Sequence, residues 1–183
     1  MIRYLITDGS AVADEHAWLE RLTVAVDMIQ IREPGLSIRR LTEIVREVLR
    51  RTTARVLVND RADVALAAGA HGLHLKADSP AVNEFRRTAP AGFIITVACH
   101  STAQVRQAAE EGADYALLAP IFPPRSKVDS RTPLGLSAIE HGAGFGIPVI
   151  ALGGITEENA ALCVRAGAAG VAGISLFQRA GKR

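Results

Sequence analysis

Cysteine is scarce. Two residues, Cys99 and Cys163, stand in a chain of 183. They form neither a disulfide framework nor the paired spacing of a zinc site. A reducing cytoplasm is the expected compartment. Aromatic residues make up 4% of the chain, too few to build stacking platforms for single-stranded nucleic acid. An excess of one charge is also missing. The 21 Lys and Arg stand against 19 Asp and Glu, a net charge of +2, so neither a nucleic acid nor a membrane surface is implied as partner. No apolar run approaches the ~18 residues of a membrane span. The opening Met1-Ile2-Arg3-Tyr4-Leu5-Ile6-Thr7-Asp8 reads as a strand, not a signal peptide. After that strand comes Thr7-Asp8-Gly9-Ser10 in place of a glycine-rich dinucleotide fingerprint. With 49% hydrophobic and 22% charged residues, the composition is that of one soluble domain over residues 1–183 with a full core.

Short apolar runs alternate with helical spacings along the whole length. Strands are predicted over 2–6, 28–31, 55–58, 72–75, 93–98, 115–118, 149–152 and 169–173, and helices over 11–24, 38–51, 60–68, 81–88, 102–111, 136–141 and 157–166. In the second helix Ser37 is a cap candidate, and Leu41, Ile44, Val45, Val48 and Leu49 recur at three- and four-residue steps. Eight βα repeats of about 20–25 residues point to a (β/α)₈ barrel, with a doubly wound open sheet as the other candidate. After Phe177 only six residues remain, so the last helix is expected to be missing or short. The face it leaves bare would then need disorder or a partner subunit, such as a second copy of the chain in a homo-oligomer.

In a barrel, chemistry gathers at the C-terminal ends of the strands. Val149-Ile150-Ala151-Leu152 is an unbroken apolar run that ends in Gly153-Gly154, with Thr156 or Glu157 placed to cap the next helix. The glycines let backbone N–H groups face outward, a suitable grip for an anion. Gly173-Ile174-Ser175 ends the following strand in a similar turn. Gln30 and Arg32 alternate onto one face at the second strand end, and Arg suits phosphate through its planar fork of donors. Asn59-Asp60 closes the third strand, an amide for a polar ring edge and a carboxylate suited to Mg²⁺. His74, Lys76 and Asp78 follow on the fourth, and His100-Ser101 on the fifth. A loop over 120–133 brings Arg125, Ser126 and Lys127, and loops of that length in a compact domain are often functional. Blander readings compete: Asp60 as a helix cap, Gln30 and Arg32 as a structural polar layer, His74 as a satisfied core histidine, His100 as a helix-opening residue, Lys127 as solvated surface.

In order, Gln30-Ile31-Arg32-Glu33, Val58-Asn59-Asp60-Arg61-Ala62-Asp63, Gly72-Leu73-His74-Leu75, Cys99-His100-Ser101, Gly112-Ala113-Asp114-Tyr115, Pro120-Ile121-Phe122-Pro123 with Lys127, and Val149-Ile150-Ala151-Leu152-Gly153-Gly154-Ile155 cover nearly the whole chain. Together they resemble the thiamine phosphate synthases and their relatives, the thiazole tautomerases. The resemblance implies a barrel that joins hydroxymethylpyrimidine pyrophosphate to hydroxyethylthiazole phosphate through a dissociative step, giving thiamine phosphate and pyrophosphate. Its partners would be small phosphorylated heterocycles. Carried over, Gln30, Arg32 and Asn59 would face the pyrimidine pyrophosphate, Asp60 and Asp78 would hold Mg²⁺, and Ser126 and Lys127 would sit between the substrates. Gly153, Gly154, Ile174 and Ser175 would hold the thiazole phosphate.

The pattern departs in four places. Pro34 stands where the synthases carry a lysine, Ala98 where they carry a serine, and Pro124 where they carry a threonine. After His74 the pattern Gly-Gln-x-Asp is replaced by Lys76-Ala77-Asp78-Ser79. The diphosphate half of the site is thus altered, and the phosphate half is intact. Two other readings stay open. One is a tautomerase that moves a proton on the thiazole phosphate, with His100 as acid and base. The other is a non-catalytic barrel that binds a phosphorylated ligand.

Overall fold

The computed structural model describes residues 1–22, 25–123 and 131–177. Eight strands run β1 (Ile2–Ile6), β2 (Met28–Ile31), β3 (Arg55–Asn59), β4 (Gly72–Leu75), β5 (Ile94–Cys99), β6 (Tyr115–Leu118), β7 (Val149–Ala151) and β8 (Gly170–Gly173). Among the described residues seven helices alternate with them: α1 (Glu15–Arg21), α2 (Ile38–Arg51), α3 (Ala62–Ala68), α4 (Val82–Arg86), α5 (Thr102–Glu110), α6 (Leu136–Ala143) and α7 (Glu157–Arg165). Each strand pairs in parallel with the next. β8 then returns to β1 through Ile2↔Gly170 to Leu5↔Gly173, which closes the ring. An open doubly wound sheet is therefore ruled out. Residues 178–183, where a last helix was expected to be missing or short, lie outside the described residues.

Two apolar clusters follow from the alternation of side chains along strands. The smaller fills the barrel: Tyr4, Ile6, Met28, Leu57, Leu117, Ile150 and Ala172. The larger lies between barrel and helices and includes Trp18, Ile44, Val45, Ile95 and Ile139. Strands covered on both sides in this way explain the near-continuous apolar runs in the sequence. α2 shows how the helices attach. The Ser37 side chain accepts from the Arg40 N–H, and Leu41, Ile44, Val45 and Val48 are buried. Those four side chains contribute on the order of 8 kcal/mol of hydrophobic stabilisation before chain entropy is subtracted.

Helix boundaries shift where tertiary hydrogen bonds override periodicity. α1 begins at Glu15, capped by Asp14, and not at residue 11. The backbone N–H groups of Gly9 and Ala11 donate to the Glu33 carboxylate instead, at 3.2 and 2.9 Å. α3 begins at Ala62 and not at residue 60, with no side-chain cap at all. Asp60 sits outside it in the left-handed region at φ 59°, so it is not the helix cap. α4 shortens to Val82–Arg86. Among the described residues no helix is long and apolar enough to cross a membrane.

Candidate active site

The β2–β4 rim collects polar groups because those strands end level with one another. The register Asn59↔His74↔Thr96 places three inward-facing side chains side by side. His74 is buried at 6% exposure, and its Nδ1 lies 2.8 Å from the Thr96 hydroxyl, which also lies 3.4 Å from the Tyr4 hydroxyl. Burial pulls its pKa down from 6.5 to about 4; Asp60 opposes that shift and Arg32 adds to it. The imidazole is therefore neutral near pH 7, a satisfied core histidine. Beside it, the Gln30 amide donates from Nε2 to Asn59 Oδ1 at 2.9 Å. Gln30 is 2% exposed, and its Oε1 has no hydrogen-bond partner among the described residues. A buried acceptor left unpaired costs roughly 1–3 kcal/mol. Such a group at a barrel mouth marks a place where a ligand donor belongs.

Just outside lies a cleft of about 310 Å³, lined by Ile31, Arg32, Glu33, Pro34, Leu36, Leu41, Asn59, Asp60, Arg61 and Lys76. The Arg32 backbone is tied to the barrel by donating to the Thr7 hydroxyl at 2.8 Å. Asp60 is fixed by its own N–H, which donates to the His74 carbonyl at 2.8 Å. Its carboxylate forms an ion pair with the Lys76 ammonium. Glu33 lines the cleft but is committed elsewhere. It is buried and accepts from Gly9 N–H, Ala11 N–H and the Trp18 indole N–H, the last at 3.0 Å. That carboxylate pins the β1–α1 connection to the end of β2. No local spacing signals these bonds, whose partners stand 15, 22 and 24 residues from Glu33 along the chain.

On the opposite side of the rim, β7 and β8 pair as Ile150↔Gly170 and Ala151↔Val171. Two residues further on, that register sets Gly153 beside Gly173, so both turns lie level at adjacent strand ends. Gly153 and Gly154 adopt φ 91° and 64°. A Cβ on Gly153 would lie 2.7 Å from Pro120, and one on Gly154 2.5 Å from the Pro123 carbonyl. The Ile121 and Phe122 N–H groups donate to the carbonyls of Leu152 and Gly153 at 2.9 and 3.1 Å. Asn159 Nδ2 donates to the Gly154 carbonyl at 2.9 Å, and Thr156 with Asn159 closes a capping box on α7. Ile174 and Ser175 are exposed beyond β8.

His100 closes β5. Its backbone N–H donates to Gln104 Oε1 at 2.6 Å, while its Nδ1 lies 2.9 Å from the Ala119 carbonyl. Ser101 caps α5 by accepting from Gln104 N–H. The Arg131 guanidinium lies against the His100 ring, with Nη1 2.7 Å from Nε2. Arg131 was not among the expected site residues, because nothing local links it to position 100. The structure thus brings Asn59, Arg32 and Asp60 together at one cleft, with Gln30 bonded to Asn59 behind it and not in its lining. His100 and the glycine turns stand on other strands of the same rim and do not line that cleft. Ser126 and Lys127 lie outside the described residues.

The expected Mg²⁺ pair has a different arrangement. Among the described residues no group of three His, Cys, Asp or Glu side chains could hold a metal. Asp60 is paired with Lys76, and the exposed Asp78 also acts on Lys76 through its charge. A divalent ion on Asp60 would have to displace that ammonium, so as arranged Asp60 does not fit Mg²⁺.

Comparison with known proteins places this geometry in a family. The family model described as thiamine monophosphate synthase matches residues 3–177. A thiamine-phosphate synthase from Methanoculleus marisnigri is 42% identical over 94% of this chain and 85% of its own length. A putative thiamine-phosphate synthase 2 from Aquifex aeolicus is 38% identical over 95% of this chain and 96% of its own. The structure of a thiamine phosphate pyrophosphorylase from Pyrococcus furiosus superposes with a TM-score of 0.82 at 30% identity, covering 98% of this chain and 88% of that one. Matched along nearly its whole length, this barrel belongs to the thiamine monophosphate synthase family of transferases.

Proposed function

We propose that this barrel transfers the pyrimidine of hydroxymethylpyrimidine pyrophosphate to the ring nitrogen of hydroxyethylthiazole phosphate, with Gln30 and Asn59 reading the pyrimidine. The observation that carries this is the buried Gln30 Oε1, without a partner among the described residues, on an amide bonded to Asn59 of a cation-lined cleft. Asn59 fixes the Gln30 amide so that its acceptor faces the ligand, and an amino group on the pyrimidine supplies the missing donor. Arg32 then meets the pyrophosphate. In the reaction the bond between the methylene carbon and the pyrophosphate oxygen breaks and its electron pair leaves with pyrophosphate. The thiazole nitrogen gives its lone pair to the resulting carbocation. Groups that favour the departing charge lower the barrier, because it appears only as the bond breaks.

The thiazole phosphate is assigned to the Gly153-Gly154 and Ile174-Ser175 turns, whose backbone N–H groups are candidate donors, at the two glycines with no side chain in the way. Family resemblance implies that Ser126 and Lys127, which lie outside the described residues, belong between the substrates. The test is direct. Purified protein with both substrates should form thiamine phosphate, and Gln30→Ala should lower kcat/KM by about tenfold or more, the cost of one lost hydrogen bond to a buried group. Absence of thiamine phosphate from folded protein, or full activity in Gln30→Ala, refutes the assignment.

A further inference from the structure

Lys76 sits in an unusual electrostatic position. Its ammonium pairs with Asp60 and feels the charge of Asp78, and both raise its pKa; Arg32 is close enough to oppose them. It lines the same cleft as Arg32 and Arg61. Arg61 holds Asp63 outside the cleft, Nε to Oδ1 at 2.8 Å. Among the groups lining the cleft, Glu33 is spent on three N–H donors. Arg61 is matched by Asp63 and Lys76 by Asp60, which leaves the exposed Arg32 as the lining cation with no ion pair among the described residues. An unmatched guanidinium beside an exposed ammonium that can re-orient is a placement suited to a polyanion. Lys76 is also the cation that pairs with Asp60 and feels the charge of Asp78, the two carboxylates that the resemblance assigns to Mg²⁺.

We propose that Lys76 is the resident cation of this cleft, binding a diphosphate group together with Arg32 in place of a divalent metal held by Asp60 and Asp78. In the unliganded protein Asp60 parks the ammonium at the rim. When a diphosphate enters, its oxygens compete for the same ammonium and add the charge-assisted hydrogen bonds that Asp60 alone cannot supply. Lys76 side-chain exposure of 56% leaves it free to swing without disturbing the core. Identification of the diphosphate as a leaving group rests on the transfer reaction proposed above; the binding claim does not.

The probe is inorganic pyrophosphate, titrated calorimetrically into protein stripped of divalent ions. Wild type should bind it. Lys76→Met should weaken binding by about tenfold or more, and Lys76→Arg should restore most of it, as loss and recovery of one charge-assisted contact require. A second measurement uses Mn²⁺ alone, followed by its electron paramagnetic resonance signal. Lys76→Met should bind Mn²⁺ more tightly than wild type, because both carboxylates are released, and Asp60→Asn added to it should remove the gain. Pyrophosphate binding that requires a divalent ion, or that is equal in wild type and Lys76→Met, overturns the proposal. So does Mn²⁺ affinity indifferent to residue 76. Turnover is read alongside on wild type. Thiamine phosphate formation with pyrophosphate binding indifferent to Lys76 defeats this inference alone. Lys76-dependent binding without thiamine phosphate defeats the transfer reaction alone.

Discussion

Protonation of His74 should destabilise the barrel in a defined pH window. The imidazole is buried, and desolvation lowers its pKa from 6.5 to about 4. In the unfolded chain it titrates near 6.5. Below that pH the unfolded state binds a proton that the native state refuses, so stability falls as pH drops from 6.5 toward 4 and is fully present above 6.5. The full span is roughly 3 kcal/mol, and at pH 5 roughly 2 kcal/mol is already lost. For a domain of this size that is a fall of roughly 5 °C in Tm. The clean comparison is His74→Gln, which keeps a polar group opposite the Thr96 hydroxyl and removes the titration. Urea unfolding of both proteins at intervals from pH 8 to pH 4.5 isolates the effect, because other groups titrate alike in the two. The wild type should lose stability relative to the variant as pH falls. Parallel stability curves across that range would refute a buried, neutral imidazole.

Two further expectations concern the rim. Glu33→Gln leaves at least one of three N–H donors unpaired and should cost about 3 kcal/mol in urea unfolding. Trp18 is the sole tryptophan, so its fluorescence should shift as its indole bond to residue 33 changes; an unchanged spectrum and midpoint would remove Glu33's anchoring role. Gly154→Ala forces a Cβ to 2.5 Å from the Pro123 carbonyl at φ 64°. It should raise the KM for the thiazole phosphate by about tenfold or more while leaving pyrophosphate binding at the β2–β4 cleft unchanged; the reverse pattern would exchange the two assignments.

The parts of the molecule legible in the sequence are those set by local periodicity. β1, β2, β4 and β6 begin and end where their apolar runs do, and α2 follows its three- and four-residue steps. Closure of the ring was legible from repeat count and strand spacing. What was not legible depends on bonds between distant residues. Residues 11–13 carry helical spacing, yet Glu33, on the far side of α1, takes the Gly9 and Ala11 N–H groups. Asp60 reads as a cap or a metal ligand from its type, but its left-handed backbone swings the carboxylate toward Lys76. Arg131 meets His100 only through the fold.

Stiffness is distributed unevenly around the rim, and the difference matches the fates of the two anions in the proposed reaction. The Gly153-Gly154 turn is held by backbone bonds to Ile121 and Phe122, by Asn159, and by close contact with Pro120 and Pro123. A grip of that kind is set before the ligand arrives and loses little entropy on binding. It suits the thiazole phosphate, which is bound as substrate and retained in the product. The β2–β4 cleft depends on the exposed side chains of Arg32 and Lys76. Long cationic side chains lose rotamer entropy when they close on an anion and regain it on release. That suits pyrophosphate, which must be held while its charge develops and then let go. Immobilising Lys76, not deleting it, would therefore slow product release while leaving the capture of pyrophosphate intact.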